Sequence, residues 1–348
     1  MTTVDPSGSP LKFSLFSVQD HHPTLARTIT QFYQETMTQA VLADELGFDT
    51  LFVAEHHFHE YGTVPNPAVF LAAVAQHTQR IRLGPAISVL PFRNPLLVAE
   101  DYAMLDQLSG GRCVLGVGSG YLAHEFAGFG IEAQEKRERF DEALLILRRA
   151  LQGERVTFEG KYHQINGVGL NVLPIQKPYP PIYVAVLRKE AAYYVGRQGN
   201  RILSIPYASV GAFDEIAPML VEYGQGYEES GAETTEPGAV IAFHTYVTES
   251  DAAARREAAE AFDLYVATRL YARRQTYADI IQSGLALFGS VETVVDKIVE
   301  LYDLGIRHVA MLHNFGNLDQ RLVVHSLRLI AAEVMPRVMA RVSQPIAR

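Results

Sequence analysis

The chain has 348 residues, 48% of them hydrophobic and 20% charged, which supplies a large core and excludes a disordered polyelectrolyte. A formal charge of −9 argues against a nucleic acid or an anionic membrane surface as partner, so any anionic cofactor needs local donors. The single cysteine, Cys113, excludes an intrachain disulfide framework, and no apolar run reaches the ~20 residues of a spanning helix.

Residues 1–10 are small and polar, read as a flexible tail, and lack the basic and apolar parts of a secretory signal, so a soluble, cytoplasmic protein is expected. Strand-like and helix-like runs then alternate. Residues 11–18 predict a strand, followed by a helix whose Ile29, Phe32, Thr36, Ala40 and Ala43 share a face and which Gly47 stops. Residues 48–55 predict the second strand and 67–78 a helix; 81–90 predict the third strand and 94–108 a helix; 112–118 predict the fourth. Residues 119–135 read as a loop, and Phe140, Leu144, Leu147 and Leu151 mark a core stripe on a helix over 136–151.

A Gly- and Pro-rich stretch, 153–180, breaks the rhythm with short β-like pieces at 156–158, 162–165 and 170–172, an inserted hairpin excursion. The alternation resumes with strands at 181–187, 201–205, 240–247 and 306–312, separated by helices ending near 198 and covering 213–228, 250–267 and 291–304. Residues 270–289 read as a second irregular insertion, and a helix over 320–338 closes the pattern. Eight strand–helix units imply parallel pairing, and the natural closure is one (β/α)8 TIM barrel over residues 11–340, with insertions at about 153–180 and 270–289. A doubly wound open sheet is the lesser reading.

In such a barrel the strand exits share one face, where active sites lie. The second strand ends in Glu55, His56 and His57; the third near Leu90; the fourth at Gly118, Ser119, Gly120 and Tyr121; the fifth at Leu187, Arg188 and Lys189; the eighth at His313 and Asn314. His56 is the leading catalytic candidate, because an imidazole can hold or deliver a proton near neutrality; a plain bond to a loop carbonyl is the competing explanation. Alternation along the strand should send His56 and His57 to different faces, with Glu55 in a structural role. His57 and His59 have the i, i+2 spacing of paired metal ligands, yet His244 lies mid-strand and His313 stands alone, so no metal is expected.

The glycines at 116, 118 and 120 resemble half a dinucleotide fingerprint but do not open directly into a helix; at a barrel rim they would let a flat ring or phosphate approach the backbone. Arg188 and Lys189 begin a helix, and its free N–H groups plus two cations suit a phosphate, although a solvated helix start reads equally well. Cys113 reads as a core thiol, and Phe16, Tyr193 and Tyr194 as packing residues.

Several ordered blocks together resemble the bacterial luciferase-like, flavin-dependent monooxygenases. They are Glu-His-His-Phe-His-Glu-Tyr-Gly-Thr-Val-Pro-Asn-Pro at 55–67, Gly-Pro-Ala-Ile-Ser-Val-Leu-Pro at 84–91, Glu100 and Asp101, Leu-Asp-Gln-Leu-Ser-Gly-Gly-Arg at 105–112, Glu125 and Phe126 with Phe129 and Gly130, and Val-Met-Pro at 334–336. The resemblance runs from Lys12 to Pro336 and implies a (β/α)8 barrel that binds reduced FMN at its C-terminal face. It places flavin and proton chemistry on His56 and a non-proline cis peptide beneath the flavin ring at Ala86 and Ile87.

Two departures stand out. Where the light-emitting relatives carry a reactive cysteine and a phosphate-binding arginine after the fourth strand, this chain has Gly118 and Ser119, which argues against light emission and removes one phosphate ligand. At the fifth exit Leu187, Arg188, Lys189 and Ala191 replace an acid and small hydroxyl residues, so the cations are expected to take over the phosphate. The resulting expectation is an FMNH2-dependent monooxygenase that uses O2 to oxygenate a small organic substrate. It would receive reduced flavin from a separate NAD(P)H flavin reductase and, by resemblance, form a homodimer through helices beside the early strands. The rivals are an F420-dependent dehydrogenase of the same superfamily, a non-catalytic flavin-binding protein and a metal hydrolase.

Overall fold

A computed structural model of the chain describes residues 10–60, 62–232, 238–269 and 275–343. The chain opens with strand β1 (Lys12–Ser17), helix α1 (Ile29–Leu46), β2 (Thr50–Val53), α2 (Pro67–Ala75), β3 (Arg82–Pro85), β4 (Ser88–Val89), α3 (Pro95–Leu108) and β5 (Leu115–Gly118). Next come α4 (Ala123–Phe129), α5 (Lys136–Leu151), the hairpin β6 (Val156–Glu159) and β7 (Gln164–Val168), β8 (Ile182–Val186), α6 (Lys189–Arg197), β9 (Arg201–Ser204), α7 (Pro206–Ser209) and α8 (Ile216–Ser230). Finally β10 (Ala239–Thr248), α9 (Asp251–Ala267), α10 (Tyr277–Gln282), β11 (Ala286–Ser290), α11 (Val291–Asp303), β12 (His308–Leu312), α12 (Gln320–Leu329) and α13 (Met335–Val342) complete the order.

The main sheet runs β3-β2-β1-β12-β10-β9-β8-β5-β4, with β11 against β10, and its described pairings are parallel. β4 pairs with β5, and Leu83 of β3 bridges Cys113 beside β5, so the two ends of the sheet meet and the ring closes. The expected (β/α)8 barrel is present. The stripes of α5 (Phe140, Leu144, Leu147, Leu151) and α11 (Val294, Val295, Ile298, Leu301) are buried as expected; in α1 Phe32, Thr36, Ala40 and Ala43 are buried but Ile29, in its first turn, is exposed. Thr28 caps α1 by accepting from the Gln31 N–H, and Gly47 ends it in the left-handed conformation at φ 84°.

Four local expectations need correction. The third strand is two pieces, β3 and β4, although the cis peptide expected between Ala86 and Ile87 is present where they part. Residues 119–135 are not a plain loop, since they hold α4, whose Phe126 packs with Val89 and Phe92 in a satellite core. Residues 275–289 carry α10, closed by a Thr276–Asp279 capping box, and β11; both elements are too short for a periodicity to declare itself. Within 153–180 only β6 and β7 form strands, and 170–172 do not pair. The part of the second insertion at 270–274 and nearly all of the expected tail lie outside the described residues. Among the described residues no helix is long and apolar enough to cross a membrane.

At the strand-start end Asp49 meets Lys12 and His308, while Asp44 and Arg112 are consumed mainly by backbone. Asp44 of α1 accepts the N–H groups of Gln79, Arg80 and Ile81 at 2.9, 2.7 and 2.6 Å. Burial raises its carboxyl pKa, but those three donors outweigh it and hold the group below the usual range. Arg112 donates to the carbonyls of Ser109, Ile81, Ala75 and Thr78 within 3.0 Å, stopping the open ends of α2 and α3. The sequence block at 105–112 is therefore architectural.

Candidate active site

β2 runs out of the barrel at Val53, and the next residues turn across its mouth. Glu55 and His56 are buried there. His56 Nδ1 lies 3.1 Å from Glu125 Oε1 of α4, and the same oxygen accepts the His57 N–H at 2.9 Å. A carboxylate can only accept, so Nδ1 carries the hydrogen and the lone pair of the neutral ring sits on Nε2. Gly62, at φ +78°, closes the turn: a Cβ there would fall 2.4 Å from the His56 Cβ. Tyr121 meets the imidazole edge-on, with ring centroids 6.2 Å apart.

Although the strand itself ends at Val53, His57 does not line the cavity that His56 faces. Its Nε2 lies 3.1 Å from Glu55 Oε1, and its ring packs against Phe58, Phe92 and Phe129. That aromatic cluster fastens α4 to the second-strand exit, which is what holds Glu125 against His56.

A cavity of about 580 Å³ opens at this end of the barrel. His56, Ala86, Ile87, Ser119, Tyr121, Leu187 and Arg188 all line it, so most of the residues singled out by sequence share one space. Gly118 lies just beneath: a Cβ there would meet Ile87 Cδ1 at 2.1 Å, so only glycine lets the Ile87 side chain lie over this strand. Lys189 is not among the lining residues and pairs instead with Glu215 at 3.5 Å. Arg188 is exposed at the rim, and Lys136 and Arg137 of α5 join it on the wall. Phe16, read as packing, also contributes to the wall.

Sequence reasoning missed a second polar pair. Asp20, just beyond β1, and Arg269, just beyond α9, form a buried ion pair, with side chains 0% and 1% exposed. Asp20 also accepts the Gly316 N–H at 2.8 Å and lies 3.3 Å from His22 Nε2. Burial pushes its carboxyl up, but Arg269, His22 and the Gly316 amide outweigh that and bring it down to about 2. Arg269 lines the cavity and lies over the Tyr265 ring at 4.0 Å. Neither partner sits in a readable motif, and 249 residues separate them, so no local signal could have joined them. Glu125 was visible as part of a block but carried no assigned role. Among the described residues no three His, Cys, Asp or Glu side chains converge as a metal site would require.

Residues 11–308 match the model of the family described as luciferase-like monooxygenase. The chain belongs to this family. Limonene 1,2-monooxygenase of Rhodococcus erythropolis is 28% identical over 305 residues, 84% of this chain and 78% of that one. F420-dependent glucose-6-phosphate dehydrogenases also match, one from Microbacterium testaceum at 27% identity over 88% of this chain and 94% of its own. The crystal structure of the monooxygenase RslO1 from Streptomyces bottropensis superposes with a TM-score of 0.86 at 29% identity, covering 94% of this chain and 99% of that one. The oxygenating constituent of 3,6-diketocamphane monooxygenase from Pseudomonas putida, solved in complex with FMN, gives 0.81 over 95% and 99%. At 21% identity that likeness speaks for the fold alone. This luciferase-like barrel is thus a member of a superfamily that includes flavin monooxygenases and F420-dependent enzymes, an oxidoreductase by family.

Proposed function

We propose that this protein is the oxygenating component of a two-component system, taking reduced FMN and O2 and placing one oxygen atom in a small organic substrate. The observation that carries the reading is the meeting of His56, Ser119 and Arg188 on one cavity whose wall also includes Ala86 and Ile87. A planar ring needs a flat apolar support, and a phosphate needs donors and cations. Ala54, Ala86 and Ile87 supply the first, and Ser119, Arg188 and Lys136 the second. The residues present fit FMN.

Bound reduced flavin supplies the electrons that activate dioxygen. The protein's part is to hold the ring, keep water out and manage one proton. Glu125, by accepting from Nδ1, leaves His56 Nε2 as the nitrogen that accepts or returns that proton. Tyr121 limits the swing of the imidazole. Gly118 and the Ile87 side chain above it complete the support, and Leu187 walls the fifth-strand exit. Lys189, paired with Glu215, acts on the phosphate only through the field at the start of α6.

Reduced flavin would arrive from a separate NAD(P)H flavin reductase. Assembly as a homodimer is part of the same proposal: α2 and α3 expose Val69, Leu97, Met104 and Leu108, apolar side chains that a second copy would cover. Light scattering on the eluted protein tests it, with a monomer mass as the contrary result.

FMN fluorescence titration, followed by oxygen uptake with a flavin reductase and NADH, tests the main reading; absence of flavin binding would sink it. The F420 reading draws on the matching dehydrogenases. Parallel titration with F420, followed by absorbance, separates the two. Tight flavin binding without oxygen uptake across a substrate screen would instead favour a flavin-binding protein.

A further inference from the structure

The flavin reading accounts for one wall of the cavity. Counting barrel positions around the ring, Ser119 and Arg188 follow the fourth and fifth strands, β5 and β8. Asp20 follows the first strand, β1, and Arg269 follows α9, the helix after the seventh, β10. Those exits lie on opposite sides of the mouth. The wall on the Arg269 side is apolar, built from Phe16, Val18, Leu203, Ile205, Ala208 and Tyr265.

Within that apolar wall one charged side chain is buried. Arg269 is 1% exposed, yet it contributes to the cavity surface. A guanidinium has five N–H donors in a fixed planar fork and no acceptor, so what it recognises must accept. Its charge is already balanced by Asp20, which is fully buried and further held by the Gly316 N–H. Adding a second carboxylate beside Asp20 would set two anions against one cation out of water, which is costly. A neutral oxygen meets no such penalty. Of the nearby imidazoles, His244 adds no charge, because burial, with Arg269 next, lowers its pKa to about 3, and His22 is turned to the other Asp20 oxygen at 3.3 Å.

We infer that the substrate is an apolar, carbon-rich molecule carrying a neutral carbonyl oxygen, which Arg269 binds while Asp20 cancels the charge that would otherwise select a carboxylate. This inference rests on the flavin reading, because that reading leaves the Arg269 side of the cavity to the substrate. The group recognised is a carbonyl of the ketone class; the apolar wall recognises the hydrocarbon body.

The test uses three matched probes on the full chain: 4-tert-butylcyclohexanone, tert-butylcyclohexane and 4-tert-butylcyclohexanecarboxylate. Affinities are measured by calorimetry with and without bound oxidised FMN. The ketone should bind about 10- to 100-fold more tightly than the hydrocarbon, the span of one hydrogen bond to a charged donor. The carboxylate should be the weaker of the two oxygenated probes. D20N removes the countercharge while keeping the shape, and should reverse that order. R269Q alone leaves Asp20 buried without its cation, so the D20N/R269Q pair is measured beside it; either should level ketone and hydrocarbon.

Equal affinities for ketone and hydrocarbon in the parent protein, including failure of all three probes to bind, overturn the inference. So does a parent that prefers the carboxylate. Flavin titration in the same samples keeps the two readings apart: bound flavin without ketone preference sinks this inference alone. Loss of flavin binding sinks the flavin reading, while the probe ranking without flavin still decides this one.

Discussion

The two ends of this barrel both bury charge, but they spend it differently. At the strand-start end Asp44 takes three backbone N–H groups and Arg112 gives its donors to four carbonyls. At the strand-exit end His56 meets Glu125, His57 meets Glu55 and Arg269 meets Asp20, side chain against side chain, and each of those pairs has a member on the cavity wall. A polar group saturated by backbone has no capacity left for a ligand, so it serves stability. One held by another side chain can keep lone pairs or donors turned toward an open space. Side-chain pairing alone does not mark the chemistry, since Asp49 meets Lys12 and His308 at the strand starts; the cavity beside the exit-end pairs makes the difference.

The sharpest way to break that contrast is His56→Ala, which should cut substrate oxygenation by about 10²- to 10⁴-fold while the melting temperature barely moves. A matching loss of stability would make His56 architectural. Asp44→Ala should do the opposite: leaving the buried Ile81 N–H and the half-buried N–H groups of Gln79 and Arg80 without their acceptor should cost about 2 kcal/mol in denaturant unfolding, with turnover per folded molecule unchanged.

Acid sharpens the comparison further. Neither nitrogen of His244 has a hydrogen-bond partner among the described residues, and burial, with Arg269 next, lowers its pKa from 6.5 to about 3. Burial likewise lowers the pKa of His313 to about 4 against the opposing carbonyls of Met311 and Phe16. The unfolded chain protonates both rings below about pH 6.5, whereas the folded chain does not until pH falls through those lower values. The stability they contribute is therefore complete above pH 6.5 and lost as pH falls. By pH 5 His244 alone should account for about 2 kcal/mol, and His244→Phe should flatten the unfolding profile by that amount. A profile unchanged by the substitution would refute the assignment.

The smaller effects fall on the rim. Arg188→Ala should weaken FMN binding about tenfold, an exposed charge-assisted contact discounted for solvent. Lys189→Ala, already engaged by Glu215, should change it by less than about twofold. Equal losses from the two would show that the start of α6 acts as a unit and that the cavity wall does not rank them.

Much of this was legible in residues alone. The helical stripes of α5 and α11 and the alternation of strands declared the barrel, because burial repeats with the period of each element. The exit residues His56, Ser119 and Arg188 were legible too, since a parallel barrel turns all its exits to one side. Shorter elements were not: α4, α10 and β11 span too few residues for any periodicity, and the break between β3 and β4 falls within an unbroken apolar run.

By itself the sequence determined the ring of strands, the end that carries the chemistry and the histidine to examine there, all of which follow from local patterns and a fixed handedness. Only the tertiary structure decided which partners complete the site. Glu125 reaches His56 across 69 residues and Arg269 reaches Asp20 across 249, and such pairings depend on packing between distant elements that no local pattern encodes.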